Sequence, residues 1–297
     1  MRRNEFKTYH PVVNLLYFVF VIGFSMVFMH PVCLGISFLA GYVYLPVLKG
    51  PRKAAASLLY VLPVFLIMAA INPAFNHEGV TILSYLPSGN PLTMESILYG
   101  LCSAAMIVCV IVHFSCWNEV MTSDKIVYLF GKAVPSLSLT FSMTLRLVPR
   151  FTAQLKQISS SLKCIGKDAG SGNVVKRTKN ALGTLSILVT WSLENAVDTA
   201  DSMKSRGYGL KGRTSFSVFR FDKRDLKAVL CIAFLGVYIL IGGFSGALYF
   251  RYFPSVKAAQ ITPYSVSVFV CYLALCLLPS IIEIQEVVKW NYIKSKM

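Results

Sequence analysis

Acidic residues are scarce in this sequence of 297 residues, with 13 Asp and Glu against 29 Lys and Arg and a net charge of +16. Charged residues of both signs make up only 14%, against about 25% in a soluble domain. Only Glu95 and Glu283 come near the long apolar runs, and both lie at run ends. A proton or cation relay through a bilayer is hard to build from so few intramembrane acids. The histidines, at 10, 30, 77 and 113, are scattered through different segments. His113, near the end of an apolar run, reads as a packed or interfacial imidazole and not as a ligand. The eight cysteines form no Cys-x-x-Cys and have no histidine at zinc spacing. Seven lie in apolar segments and Cys164 in a basic one, so they read as small buried thiols. No His-Glu-x-x-His or Gly-x-Ser-x-Gly occurs, and Gly131-Lys132 and Gly166-Lys167 lack the flanking Gly and Ser/Thr of a phosphate-binding loop. These absences predict a chain that neither hydrolyses nucleotide nor pumps ions itself, with no cofactor and no metal site.

What is present in quantity is apolar: 55% of residues are hydrophobic and the mean hydropathy is +0.61. The fold class expected is all-α, a polytopic helical membrane protein with about six transmembrane helices. The runs 12–29, 32–48, 54–71, 94–117, 227–249 and 264–284 are each long enough to cross ~30 Å of hydrocarbon as a helix. The basic start MRRNEFK meets an apolar run with no small-residue cleavage site, which predicts a first anchor and not a removed signal peptide. Residues 72–93 carry no Lys or Arg, and Ile82-Leu83 with Tyr85-Leu86-Pro87 suggest a segment lying in the membrane interface. If the N-terminus is cytoplasmic, the short inside segments hold Arg2, Arg3, Lys7, Lys49, Arg52, Lys53, Lys289, Lys294 and Lys296, the outside ones only Arg251 and Lys257. The positive-inside rule then places both termini in the cytoplasm. Basic charge in such a chain lies near anionic lipid headgroups, and nucleic acid is not needed to explain it.

The sequence divides into an N-terminal transmembrane domain of four spans (1–117), a cytoplasmic domain (118–226) and a C-terminal transmembrane hairpin (227–297). Residues 118–225 hold 17 of the 29 Lys and Arg and are amphipathic. Phe151, Leu155, Ile158, Leu162 and Ile165 recur at spacings of four and three, a short coiled-coil-like seam. That helix should stop at Gly166. Lys176-Arg177-Thr178-Lys179 follows, and then a second helix with Leu185, Leu188, Val189, Leu193, Ala196, Ala200 and Met203 on one stripe. It should stop at Gly207, with Arg206 beside its last carbonyls and the basic loop YGLKGRTSF beyond. A cation in the last turn followed by glycine is also the generic way to end a helix, and an amphipathic stripe alone is often packing or membrane-surface contact.

Four segments in order resemble the transmembrane T component of energy-coupling factor transporters, the CbiQ/EcfT family. YHPVVNLLYFVFVI at 9–22 resembles its opening, with Asn14 where lysine is usual. Residues 71–100 resemble its loop into the next span, and 122–151 its segment leading to the coupling helices. ADSMKSRGYG at 200–209 is similar to its second Ala-Arg-Gly signature, with Ser205 for alanine. The first signature falls at Cys164-Ile165-Gly166, where isoleucine stands at the arginine position and Lys163 or Lys167 supplies the nearest charge. The resemblance covers most of residues 9–215. It implies a non-catalytic scaffold in a prokaryotic plasma membrane, joining two ABC-type ATPase subunits to a small substrate-binding membrane subunit that imports a vitamin or transition metal ion. Long cytoplasmic coupling helices between spans four and five would carry the movement, through Ser205, Arg206 and Gly207 at one tip and Cys164, Ile165 and Gly166 at the other. Phe151, Leu155, Ile158, Leu162, Leu185, Leu193 and Met203 would pack them. Two other readings remain: a membrane enzyme or lipid-interacting protein with a basic cytoplasmic face, and a stand-alone secondary carrier. The near absence of intramembrane charge and of a visible repeat argues against the carrier.

Overall fold

A computed structural model describes residues 4–85, 90–133, 135–167, 170, 173–208 and 219–296. In chain order the helices are α1 (Pro11–Val27), α2 (Pro31–Lys49), α3 (Pro51–Phe75), α4 (Met94–Val120), α5 (Ser123–Ala133), α6 (Pro135–Cys164), α7 (Val174–Ser205), α8 (Lys223–Phe244) and α9 (Pro263–Lys296). Two antiparallel strand pairs accompany them, β1 (Ile82–Tyr85) with β2 (Pro91–Thr93) and β3 (Phe250–Arg251) with β4 (Lys257–Ala258). The chain splits into two compact units, Met1–Thr122 with Phe219–Met297, and Ser123–Val218.

The first unit is membranous. Helices α2, α3, α4, α8 and α9 are long and apolar enough to cross a bilayer, and α1 is an apolar helix of 17 residues, about 25 Å long. The chain is an all-α polytopic membrane protein. Local chemistry sets the helix bounds. Both α1 and α2 open on His-Pro: His10 Nδ1 accepts from the Val12 amide at 3.3 Å and His30 Nδ1 from the Val32 amide at 3.2 Å. Proline at the next position has no amide to satisfy and a φ already suited to the first turn. Between α2 and α3, Gly50 takes a φ of 86° ahead of Pro51. Ahead of α8, the Asp222 amide donates to Asp225 Oδ2 at 3.1 Å in a capping box. Helix α9 continues to Lys296, well past Ile284, where its apolar run ends.

Helix α1 buries Val13, Tyr17, Phe18, Val21, Phe24 and Ser25, a helical stripe packed against α2, α4 and α8. Tyr17 donates to the Cys276 carbonyl at 3.0 Å, and Ser25 bonds Ser37 at 2.8 Å. These bonds matter because an unpaired hydroxyl away from water is costly. Phe18 meets Trp117 of α4 edge-on at 5.4 Å. Helix α3 lies against α4 at close range, since a Cβ on Gly100 would come within 2.8 Å of the Ala69 carbonyl oxygen. Of its own residues α3 buries only Ala54.

Contacts sort the helix ends into two groups. At one end the Phe6 amide donates to Glu283 Oε1 and the His10 amide to Asp225 Oδ1, each at 3.2 Å. There Arg224 lies 4.2 Å over the Tyr9 ring and bonds Thr8 at 3.3 Å. Lys49 donates to Ser115 at 2.8 Å and pairs with Glu119 at 3.8 Å. At the other end Tyr252 donates to the Met29 carbonyl at 2.6 Å. The His30 ring packs on Phe250 and Phe269, and Tyr99 on Tyr252 and Phe253. The loop 72–93, read from sequence as an interfacial segment, holds the β1–β2 hairpin instead of unbroken loop. Leu86-Pro87 lies outside the described residues.

Two outcomes are expected. Gly100→Ala should lower stability by about 1–3 kcal/mol through overpacking of α3 on α4, read as the melting temperature in detergent. Partial burial pushes the His30 imidazole below its usual value of 6.5, so the folded state favours the neutral ring that caps α2. Its contribution is full above the unfolded value and is lost as pH falls through the folded one. His30→Asn, which caps without titrating, should flatten the fall in melting temperature between about pH 7 and about pH 5.

Candidate functional site

In the second unit α6 and α7 pack on one another, with the Phe151 ring edge-on to Trp191 at 5.9 Å. Ile158, from the seam read in the sequence, is 8% exposed. Leu162 and Met203 are half-buried, and Leu155 is exposed. On α7 the less exposed line is Asn180, Thr184, Leu188, Trp191 and Asn195, again a helical spacing. Leu185 and Leu193 lie off that line, 53% and 65% exposed in the single chain. The basic stretch Lys176-Arg177-Thr178-Lys179, read from sequence as a link between helices, belongs to the first turns of α7, which starts after an Asn173 cap. Helix α6 likewise begins earlier than its apolar seam and runs through Pro149. Proline costs a helix one backbone bond without preventing its continuation.

Both long helices end in the same backbone device. At the end of α6 the Gly166 amide donates to the Lys163 carbonyl at 3.1 Å and the Lys167 amide to the Leu162 carbonyl at 2.9 Å. At the end of α7 the Gly207 amide donates to Lys204 at 3.0 Å and the Tyr208 amide to Met203 at 3.0 Å. Gly166 and Gly207 sit at φ 73° and 78°, the left-handed conformation that closes a Schellman motif without a Cβ clash. The bond register puts Cys164-Ile165-Gly166 and Ser205-Arg206-Gly207 in equivalent positions, with Ile165 and Arg206 each in the residue before the left-handed glycine. The closing amides of Lys167 and Tyr208 were not singled out in the sequence, though a glycine placed after a periodic stripe points to them.

The two ends differ in what they display. Ile165 is 66% exposed, between the exposed Lys163 and Lys167, and Cys164 beside it is an exposed thiol. Arg206 is exposed next to Lys204 and, among the described residues, pairs with no carboxylate. Ser205 turns its hydroxyl back onto the Ser202 carbonyl at 2.9 Å, so of the signature residues at this tip it is Arg206 whose side chain offers outward donors. A planar guanidinium offers a fork of donors that matches a carboxylate, and a lysine ammonium does not. Residues 209–218, most of the basic loop YGLKGRTSF, lie outside the described residues. His113 is buried and its Nδ1 bonds the Cys109 carbonyl at 2.8 Å, the packed role expected for it. Among the described residues no three His, Cys, Asp or Glu side chains are placed to hold a metal.

The family model described as cobalt transport protein, CbiQ, matches residues 4–216. The energy-coupling factor transporter transmembrane protein EcfT of Lactobacillus helveticus is 35% identical over 99 residues, 33% of this chain and 36% of that relative. The protein of the same name from Lactococcus lactis subsp. cremoris is 32% identical over 109 residues, 36% of this chain and 41% of that relative. The chain thus matches well under half the length of either relative.

Alanine at 166 or 207 would carry a Cβ into the left-handed region, at a cost of roughly 1–2 kcal/mol each. Gly207→Ala and Gly166→Ala should therefore fray the last turn of α7 and α6 respectively. Amide hydrogen exchange at residues 203–208 or 162–167 should speed up while the first unit keeps its protection.

Proposed function

The chain belongs to the CbiQ/EcfT family of energy-coupling factor transmembrane components, and from that premise we propose that it is the coupling scaffold of an ATP-driven importer of a vitamin or transition metal ion. In this reading residues 118–226 form a cytoplasmic coupling domain between spans four and five. Two ABC-type ATPase subunits take one tip each, and a small substrate-binding membrane subunit completes the complex. The observation that carries the reading is the pair of matching glycine-closed tips, Ile165 and Arg206, at the ends of two long packed helices. A rigid helix with a stopped end transmits displacement, and a frayed end would absorb it.

Orientation follows charge. The bundle end that holds Lys49, Arg224, Asp225 and Glu283 is also where α4 ends and α8 begins, so both connections to the second unit leave from it. We place that end in the cytoplasm of a prokaryotic plasma membrane, with six crossings and both termini inside. Leu185, Val189, Leu193 and Val197 are exposed on α7 at helical spacing and would meet the apolar surface of the substrate-binding subunit.

The tips should contribute unequally. Arg206 would clasp a carboxylate on one ATPase, and Ile165 would offer only apolar contact to the other. Arg206→Glu in the tagged chain should cost ~2 kcal/mol or more of docking, so that the ATPases are lost from a pull-down in mild detergent while the small membrane partner remains. Retention of the ATPases by Arg206→Ala, with their loss in Ile165→Ala, would overturn the assignment. A folded wild-type chain recovered alone would overturn the scaffold itself.

A further inference from the structure

The β1–β2 hairpin between α3 and α4 presents apolar side chains that its own unit does not cover. On β1, Ile82 is 50% exposed, Leu83 57% and Tyr85 66%; ahead of the strand Val80 is 71% exposed, and Phe75, the last residue of α3, 82%. Exposure runs along all of β1, so both faces of the strand are open. Two strands alone are barely stable in water, and a contiguous apolar patch on a protein surface marks something that binds it. From this we infer that the hairpin lies in the headgroup–acyl boundary of the bilayer leaflet opposite the basic end, as a lateral lipid anchor of the α3–α4 pair.

Three observations select lipid as the occupant. The first is attachment. Strand β2 ends at Thr93 and α4 starts at Met94, and the register sets Ile82 opposite Thr93, so the base of β1 is level with the first turn of a membrane-crossing helix. The Met94 amide donates to the Thr81 carbonyl at 3.0 Å, and the Thr81 amide and hydroxyl donate to Glu95 at 3.2 and 2.9 Å. These bonds pin the hairpin base to α4, at the edge of the ~30 Å hydrocarbon layer. The second is charge. Residues 72–93 carry no Lys or Arg and one acid, Glu78, while Glu95 is buried with its oxygens occupied. Bringing Ile82, Leu83 and Tyr85 into the boundary therefore desolvates no ionised side chain of the strand, and an aromatic residue there suits the interfacial belt. The third is contrast with the other strand pair. Beside β3 and β4, the buried Tyr252 bonds Met29 and packs on Tyr99, so that loop is tied to the bundle end, and the residues its strands leave exposed, Arg251, Lys257 and Ala258, include two cations. The β1 side chains, by comparison, are all left exposed.

The inference rests on the membrane character of the first unit and not on any coupling role. The test places dansylalanine at Leu83, and in a second variant at Tyr85, both exposed positions in an otherwise native chain. Each labelled protein, monodisperse in detergent, is reconstituted into phosphatidylcholine vesicles with or without bromines near the start of the acyl chains. Shallow brominated lipid should quench emission at least about twofold, and aqueous iodide should quench it several-fold less than the free probe, as expected for a group some 5–10 Å into the boundary. Full iodide access with no response to brominated lipid, at both positions, would overturn the anchor. So would lipid quenching seen in the isolated chain but lost when the chain is reconstituted with its co-purified partners, since the surface would then belong to a protein.

Discussion

Two buried carboxylates hold the two halves of the membrane unit together. Asp225, at the start of α8, accepts the His10 amide, and Glu283, on α9, accepts the Phe6 amide. The partners are 215 and 277 residues apart in the chain, so these bonds tie the N-terminal segment to a hairpin reached only after the whole second unit. Each pairs a backbone amide with a buried carboxylate, and a hydrogen bond to a carboxylate is among the stronger kinds. Once α8 and α9 are fixed against α1, the end of α4 and the start of α8 share one end of the bundle. The second unit is then a closed excursion from a single place.

The excursion is organised by a different constraint. Any helix has four carbonyls without intrahelical partners at its end, and both α6 and α7 settle part of that demand with a left-handed glycine. Because the backbone solution is the same, the difference between Ile165 and Arg206 is one of side-chain chemistry on a common frame. The common frame gives Ile165 a meaning, as an apolar residue held at the position where its counterpart holds a guanidinium.

Much of this could be read beforehand. The apolar runs beginning at 12 and 32 lie within one residue of the starts of α1 and α2, where a His-Pro pair acts over a few residues, whereas α3 starts at Pro51, three residues ahead of its run. Gly166 and Gly207 marked helix ends for the same local reason. The line of contact on α7 was not legible. The apolar stripe read in the sequence holds Leu188 and Met203, which are half-buried, together with Leu185 and Leu193, which are exposed in the single chain, while Thr184 and Trp191, among the less exposed residues, were not on it. Periodicity reports that a face exists, and it cannot say which neighbour covers it when a chain also has lipid and partners to meet. The N-terminal part of α6 was hidden by Pro149, and the β1–β2 pair by its short strands of mixed polarity.

The sequence by itself determined that this is a helical membrane protein, where most of its crossings start and stop, and that two long helices end in glycine-closed tips. Composition, local capping and proline geometry act over a handful of residues and need no partner elsewhere in the chain. Tertiary structure alone decided that Glu283 and Asp225 bind the N-terminal segment, that Tyr252 reaches Met29, and that the side chains of β1 are left uncovered. Those outcomes depend on which distant helix arrives beside which, and packing geometry between elements is not written in any local window.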